Sequence, residues 1–188
     1  FPRDLAVLRG QVTWERRYLD VEPMQRAADS LVGEHDFSAF RAAGCGARSP
    51  RREIRNIDVR RHHDTVVVGV HANAFLHHMV RNIVGVLLAI GRGDKPASWA
   101  GDVLRGRDRT RAGVTAPADG LYLTKVDYPA ECGVPAPDEV AYSPLGDTSG
   151  VEVCPMPGLW YAPALARPAR AGASSAPPNT NQEGRGRG

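Results

Sequence analysis

Hydrophobic residues recur along the chain in distinct rhythms, and each rhythm predicts an element. In residues 21–32, Met24, Ala27, Ala28, Leu31 and Val32 repeat at spacings of three and four, which predicts an amphipathic helix. Asp20 stands where an N-cap belongs, and Gly33 where the helix should stop. Residues 52–61 (Ile54, Ile57, Val59) and 65–71 (Val66, Val67, Val68, Val70) read as strands. The short polar turn His62-His63-Asp64 between them predicts an antiparallel hairpin. Residues 75–90 form the strongest helical pattern, with Asn73 as its cap and Gly91 and Gly93 at its end. Their apolar positions cover most of the helix circumference, which predicts burial on several sides.

The weaker segments complete the outline. Residues 1–18 read as an extended lead-in, 34–40 as a polar turn and 41–50 as a loop. A shorter helix is predicted at 96–105, a polar loop at 107–118 and a strand at 120–126. The order helix, strand, strand, helix, helix, strand predicts an α+β fold, an antiparallel sheet with helices packed on one face.

Composition divides the chain. Nine of its 15 prolines lie after Pro129, and residues 171–188 are rich in Ala, Ser, Pro, Asn, Gly and Arg. Residues 1–129 are therefore expected to fold, and residues 130–188 to form a largely disordered tail. The net charge of +3 hides an asymmetry: the tail, with six acids and four bases, carries −2, so residues 1–129 carry +5. Almost all of that positive charge is Arg, which suits phosphate or carboxylate partners and equally suits an Arg-biased genome. The three cysteines, Cys45, Cys132 and Cys154, match neither a disulfide framework nor a zinc spacing. That usage, with no apolar run long enough to span a membrane and no signal peptide, predicts a cytoplasmic protein. Opening on Phe1 rather than Met reads as a piece of a longer chain.

Candidate chemistry concentrates in His77-His78-Met79-Val80-Arg81-Asn82, inside the most apolar helix. A permanent cation on a buried helix is costly without a partner. His77 and Arg81, four apart, and His78 and Arg81, three apart, would share a donor-rich face that attracts an anion. Alternatively, Arg81 pairs with a surface acid while the histidines satisfy backbone carbonyls. A second concentration, Arg41, Arg48, Arg51, Arg52, Arg55, Arg60 and Arg61, falls within twenty-one residues. It fits either a phosphate-tracking patch or a charged, solvated edge strand. Arg105, Arg107, Arg109 and Arg111 alternate in a segment that reads as a solvated loop. No phosphate-binding Gly-rich loop and no nucleophile elbow is visible, and neither adjacent His pair makes a metal site.

Four strings carry a resemblance. They are Gly33-Glu34-His35-Asp36-Phe37-Ser38-Ala39-Phe40-Arg41; Ser49-Pro50 with Arg52 and Ile54 following; Ala72-Asn73-Ala74-Phe75-Leu76-His77-His78-Met79-Val80-Arg81-Asn82-Ile83-Val84-Gly85; and Ala118-Asp119-Gly120-Leu121-Tyr122-Leu123. In this order, over residues 5–129, the chain resembles the C-terminal half of the tRNA pseudouridine synthase A family. The resemblance implies isomerisation of uridine to pseudouridine in the anticodon stem-loop of tRNA, without a cofactor and by a homodimer. It implies that an Asp attacks or deprotonates the nucleoside after the base has left its stack. An Arg at the position of Arg81 pairs with that Asp, and such a charge lowers a carboxylate's pKa by roughly 1–3 units. Arg41, Arg48, Arg51, Arg55, His77, His78, Asn82 and Tyr122 are the implied RNA contacts.

One departure is serious. The family's Asp belongs to an Arg-Thr-Asp string, and the only echo here, Arg109-Thr110-Arg111-Ala112-Gly113-Val114, has Arg111 in that place and lies at the wrong point in the chain. The nucleophile is therefore expected upstream of Phe1, and the isolated chain is expected to be inactive. A catalytically inert tRNA-binding module, or an α+β domain with no RNA role, remains open at this stage.

Overall fold

The computed structural model describes residues 10–126, Cys132 and the backbone of Leu159–Leu165. In chain order the elements are β1 (Thr13–Trp14), α1 (Val21–Asp29), β2 (Gly33–Asp36), β3 (Arg51–His62), β4 (Thr65–Ala72), α2 (Met79–Gly91), α3 (Trp99–Gly106), β5 (Tyr122–Leu123) and β6 (Leu159–Leu165). Single 3₁₀ turns at Ser38–Phe40 and Arg109–Arg111 sit between them.

The hairpin forms as expected: β3 and β4 run antiparallel from Ile54 opposite Ala72 to His62 opposite Thr65. The ladder skips at Arg55, so that Ile54 and Asn56 oppose the successive residues Ala72 and His71. This bulge resets the alternation. Ile54, Ile57 and Val59 are buried, while Arg55 and Asn56 are both exposed. Strand β2 adds antiparallel to the other edge of β3. Its residues, Gly33 to Asp36, were expected to be a helix stop and a polar turn. Their pairing with β3 satisfies backbone groups that a turn would leave to solvent.

The sheet order is β1-β6-β4-β3-β2, with β5 pairing β6. The predicted disordered tail lies outside the described residues except at Cys132 and β6. In β6 the sequence showed no trusted pattern, yet its backbone pairs along β4 from His71 to Thr65. All eight residues of β4 are buried, the pattern of a strand with neighbours at both edges.

Helix α1 opens at its predicted cap, where the Asp20 carboxylate accepts from the Glu22 N–H at 3.1 Å. It ends at Asp29, earlier than the apolar spacing suggested. Met24, Ala27 and Ala28 of α1, Val66, Val68 and Val70 of β4, and Met79, Ile83, Leu87 and Ile90 of α2 share one core with Ile54 and Ile57. Gly91 lets α1 and α2 approach closely: a Cβ there would lie 2.4 Å from the Met24 Sδ. The whole arrangement is α+β, as expected. No helix among the described residues is long and apolar enough to cross a membrane.

Candidate functional site

The site begins where β4 gives way to α2. Asn73, the expected helix cap, instead closes on β3: its N–H donates to the Glu53 carbonyl at 3.0 Å and its side-chain oxygen accepts from the Glu53 N–H at 3.1 Å. The helix consequently starts at Met79, four residues later than Phe75. His78 occupies the cap position in the left-handed region at φ 59°, with no side-chain cap. His77 and His78 thus precede the helix and form a turn, their rings tilted by 34° with centroids 4.0 Å apart. The expectation that His77 would sit one turn below Arg81 on a helical face does not hold. Only His78 reaches it.

Every residue of α2 is buried except Arg81, which is half-buried. The expected fully buried cation is therefore a cation held at the surface of an apolar helix. Its Nε–H donates to the Ala116 carbonyl at 2.8 Å, and its Nη1 lies 3.3 Å from His78 Nε2. For that second contact His78 must offer a lone pair, so the ring is neutral with its proton on Nδ1. Burial, the neighbouring His77 and the charge of Arg81 all push the His78 pKa down, which favours that neutral form. Among the described residues no carboxylate lies within ion-pair distance of Arg81. With Nε committed to Ala116 and Nη1 facing His78, Nη2 is the guanidinium nitrogen left for an anion.

Beneath Arg81 lies a buried polar junction. Asn82 is fully buried, and its side-chain amide donates to the Phe40 carbonyl at 2.7 Å. Its oxygen accepts from Thr115 Oγ1 at 2.7 Å and from Arg109 Nη2 at 3.1 Å. Arg109 also donates to Thr115 Oγ1 at 2.7 Å and to the Gly113 carbonyl at 3.0 Å. Asn82, expected among the RNA contacts, is instead committed inside the protein, because every polar atom of its side chain is used. Thr115 went unnoticed in the sequence, and Arg109 stood out there only as one of four alternating arginines. A solvated loop was the reading for residues 107–118, and alternation of Arg does not reveal which one turns inward. The available signal was Asn82 itself, a polar side chain in a buried helix that demands donors from elsewhere.

The remaining candidates form a rim. Arg41 is folded into its own loop, its guanidinium donating to the carbonyls of Cys45 and Ala47. That loop is tied to the His turn: the Ala42 N–H donates to the His77 carbonyl at 3.0 Å, and the His77 N–H points at Cys45 Sγ at 3.4 Å. Arg48 is exposed on the same loop. Along β3, Arg51 pairs with Glu34 at 3.3 Å and Arg55 with Glu53 at 3.8 Å, both in solvent. Such pairs are worth roughly 0–1 kcal/mol and exchange readily for a phosphate. Tyr122 lies on β5, its hydroxyl donating to the Gln11 carbonyl at 3.0 Å. Of the four alternating arginines, Arg105 in the last turn of α3 pairs with Asp102 and Arg107 with Asp36, while Arg109 is the inward one. Among the described residues no group of three His, Cys, Asp or Glu side chains is placed to hold a metal ion.

Comparison with known proteins bears on this geometry. Residues 27–129, more than half of the chain, match the family described as tRNA pseudouridine synthase. A tRNA pseudouridine synthase A of Hydrogenovibrio crunogenus is 52% identical over 134 residues, which cover 71% of this chain and 51% of that protein. The enzyme of that name in Nitrosococcus oceani is 52% identical over 130 residues, 69% of this chain and 50% of the relative. That in Methylococcus capsulatus is 52% identical over 133 residues, 71% and 49% respectively. The chain therefore spans about half the length of the curated relatives it matches.

Proposed function

Because this chain belongs to the tRNA pseudouridine synthase family, we propose that it is the RNA-facing, active-site-supporting half of an enzyme that isomerises uridine to pseudouridine in the anticodon stem-loop of tRNA. The observation that carries the reading is Arg81. It is a half-buried guanidinium, braced on one side by the Ala116 carbonyl, with no acidic partner among the described residues. In the proposed enzyme an Asp outside residues 1–188 occupies the free end of that fork. The opposite charge a few ångströms away keeps the carboxylate ionised and aligned for the nucleoside. No cofactor enters the reaction: the bond from ring nitrogen N1 to the ribose breaks, the uracil turns, and carbon C5 bonds to the same ribose, the proton lost from C5 being balanced by one gained at N1.

The rim serves recognition in this reading. Arg48, Arg51 and Arg55 are exposed on the 41–50 loop and β3, where they contact phosphates and position the stem-loop without reading its sequence. Neutral His78 and exposed His77 line the approach to Arg81, and Tyr122 on β5 is a further contact in this reading. The working enzyme is a cytoplasmic homodimer.

Two measurements test the proposal. Fluorescence anisotropy with an anticodon stem-loop RNA should show binding that weakens with salt. Replacing Arg51 and Arg55 with Ala should flatten the salt dependence by about two phosphate contacts. Incubation of uridine-labelled tRNA with the 188-residue chain alone should yield no pseudouridine. Turnover by the isolated chain would overturn the assignment of the nucleophile to residues outside it. Absence of salt-dependent RNA binding would remove the recognition role.

A further inference from the structure

Arg81 carries the proposed function, yet arginine is a long side chain with large rotamer freedom, and a freely rotating guanidinium would have to be ordered each time substrate arrived. The structure shows what orders it. The segment 113–116 lies directly on α2: the Ala116 N–H donates to the Arg81 carbonyl at 3.1 Å, and the Ala116 carbonyl takes the Arg81 Nε–H at 2.8 Å. Ala116 anchors one end of the segment in the apolar core, but its bulkiest side chain, Val114, is 87% exposed. The rest of the segment is held by polar contacts. Arg109 spans its ends by gripping the Gly113 carbonyl and Thr115 Oγ1, and Thr115 Oγ1 bonds to Asn82, which is fixed in the helix one residue after Arg81.

We propose that Arg109 and Thr115, acting through Asn82 and the 113–116 segment, are positioning residues for Arg81. They hold its guanidinium in one orientation before any ligand binds, with Nη2 left to meet an anion. The role within catalysis rests on the reading of Arg81 given above, whereas the positioning is a property of the chain itself. Arg109 is thus a second guanidinium near the site whose charge is spent inward. Its donors meet two backbone or side-chain oxygens of the segment and one of the helix, and it faces no phosphate.

The experiment uses the ¹⁵N-labelled 188-residue chain and follows the Arg81 Nε–Hε signal together with the backbone amides of α2. In the wild type, exchange of that side-chain proton with water is slowed by its bond to Ala116. Thr115→Val removes the hydroxyl while keeping the shape. It should speed Arg81 Nε–H exchange about fivefold or more, the equivalent of one hydrogen bond lost, with the α2 amides still protected. Thr115→Ser restores the hydroxyl and should return the exchange to the wild-type range. Arg109→Lys keeps the charge but not the fork and should behave like Thr115→Val. An unchanged Arg81 signal in Thr115→Val, or equal loss of α2 amide protection, overturns the proposal. In a second arm, anticodon stem-loop affinity is measured for Thr115→Val with and without Arg81→Met. The proposal expects a loss when Arg81 is present and none in the Arg81→Met background, and an equal loss in both overturns it. If the wild-type chain binds no RNA at all, the functional reading fails, while the exchange measurement still decides the positioning role.

Discussion

Gly85 lies so close beneath Val114 that a Cβ on it would sit 1.9 Å from the Val114 carbonyl oxygen. No side chain fits there, so the helix and the 113–116 segment touch backbone to backbone. Gly85→Ala sets two effects against each other. Helix propensity favours Ala by about 1 kcal/mol. The clash must be relieved by moving the segment, an overpacking cost of about 1–3 kcal/mol, together with the bonds between Ala116 and Arg81. The second effect wins. Denaturant unfolding of Gly85→Ala should show a lower midpoint with an unchanged slope, and a midpoint at or above wild type would show that the segment yields freely.

His78 supplies a pH dependence. Burial, then the charges of His77 and Arg81, hold its pKa below the ordinary imidazole value. The folded protein therefore prefers neutral His78, and acid works against it. As pH falls through the unfolded value the unfolded chain gains the proton first, so the folded state loses stability relative to it. As pH falls further through the depressed folded value, His78 gains a proton, loses the lone pair facing Arg81 and repels it. An NMR titration should place the His78 midpoint below that of a free histidine, with the Arg81 Nη signals shifting in step. A midpoint above the free value would mean that an acid contacts the ring.

Cys45 should be a reactive thiol. Backbone N–H groups of His77 and Ala47, then the Arg41 guanidinium, favour its thiolate and lower its pKa. In a chain with Cys132 and Cys154 replaced by Ser, the pH profile of iodoacetamide alkylation should have a midpoint below that of a free thiol. Arg41→Ala should move it upward. A midpoint at or above the ordinary thiol value would show that the His77 N–H does not reach the sulfur in solution.

At the far end of α2, Arg17 grips Asp94 through two bonds of 2.8 and 2.6 Å, and Arg92 joins Asp94 to Glu15. The bond from Arg17, followed by that from Arg92, holds the Asp94 pKa below the usual carboxylate value. A depressed folded pKa stabilises the protein above the unfolded carboxylate value, and the contribution disappears as pH falls through the folded one. A carboxyl titration should find Asp94 ionised to lower pH than a free Asp, and Arg17→Ala should raise its midpoint. Because the pair is exposed, the neutral-pH melting temperature should hardly move. A large drop would assign Arg17 a packing role.

Much of this protein was legible because local rules wrote it. The Asp20 cap, the β3–β4 hairpin with its short polar turn, and the nearly all-round apolar surface of α2 follow from side-chain chemistry within a few residues. The anomaly at Arg81 was legible too, since a charge among buried positions stands out wherever it is placed. Other features depended on partners distant in sequence. Strand β2 exists because β3 offers its edge, the bulge at Arg55 appears only in the register against β4, and α2 starts late because Asn73 bonds to Glu53, twenty residues away. The inward turn of Arg109 and the hold of Thr115 on Asn82 belong to the same group. Periodicity along the chain reports which face of an element is apolar, but a hydrogen bond between residues 27 or 33 positions apart is decided only when packing brings donor and acceptor together.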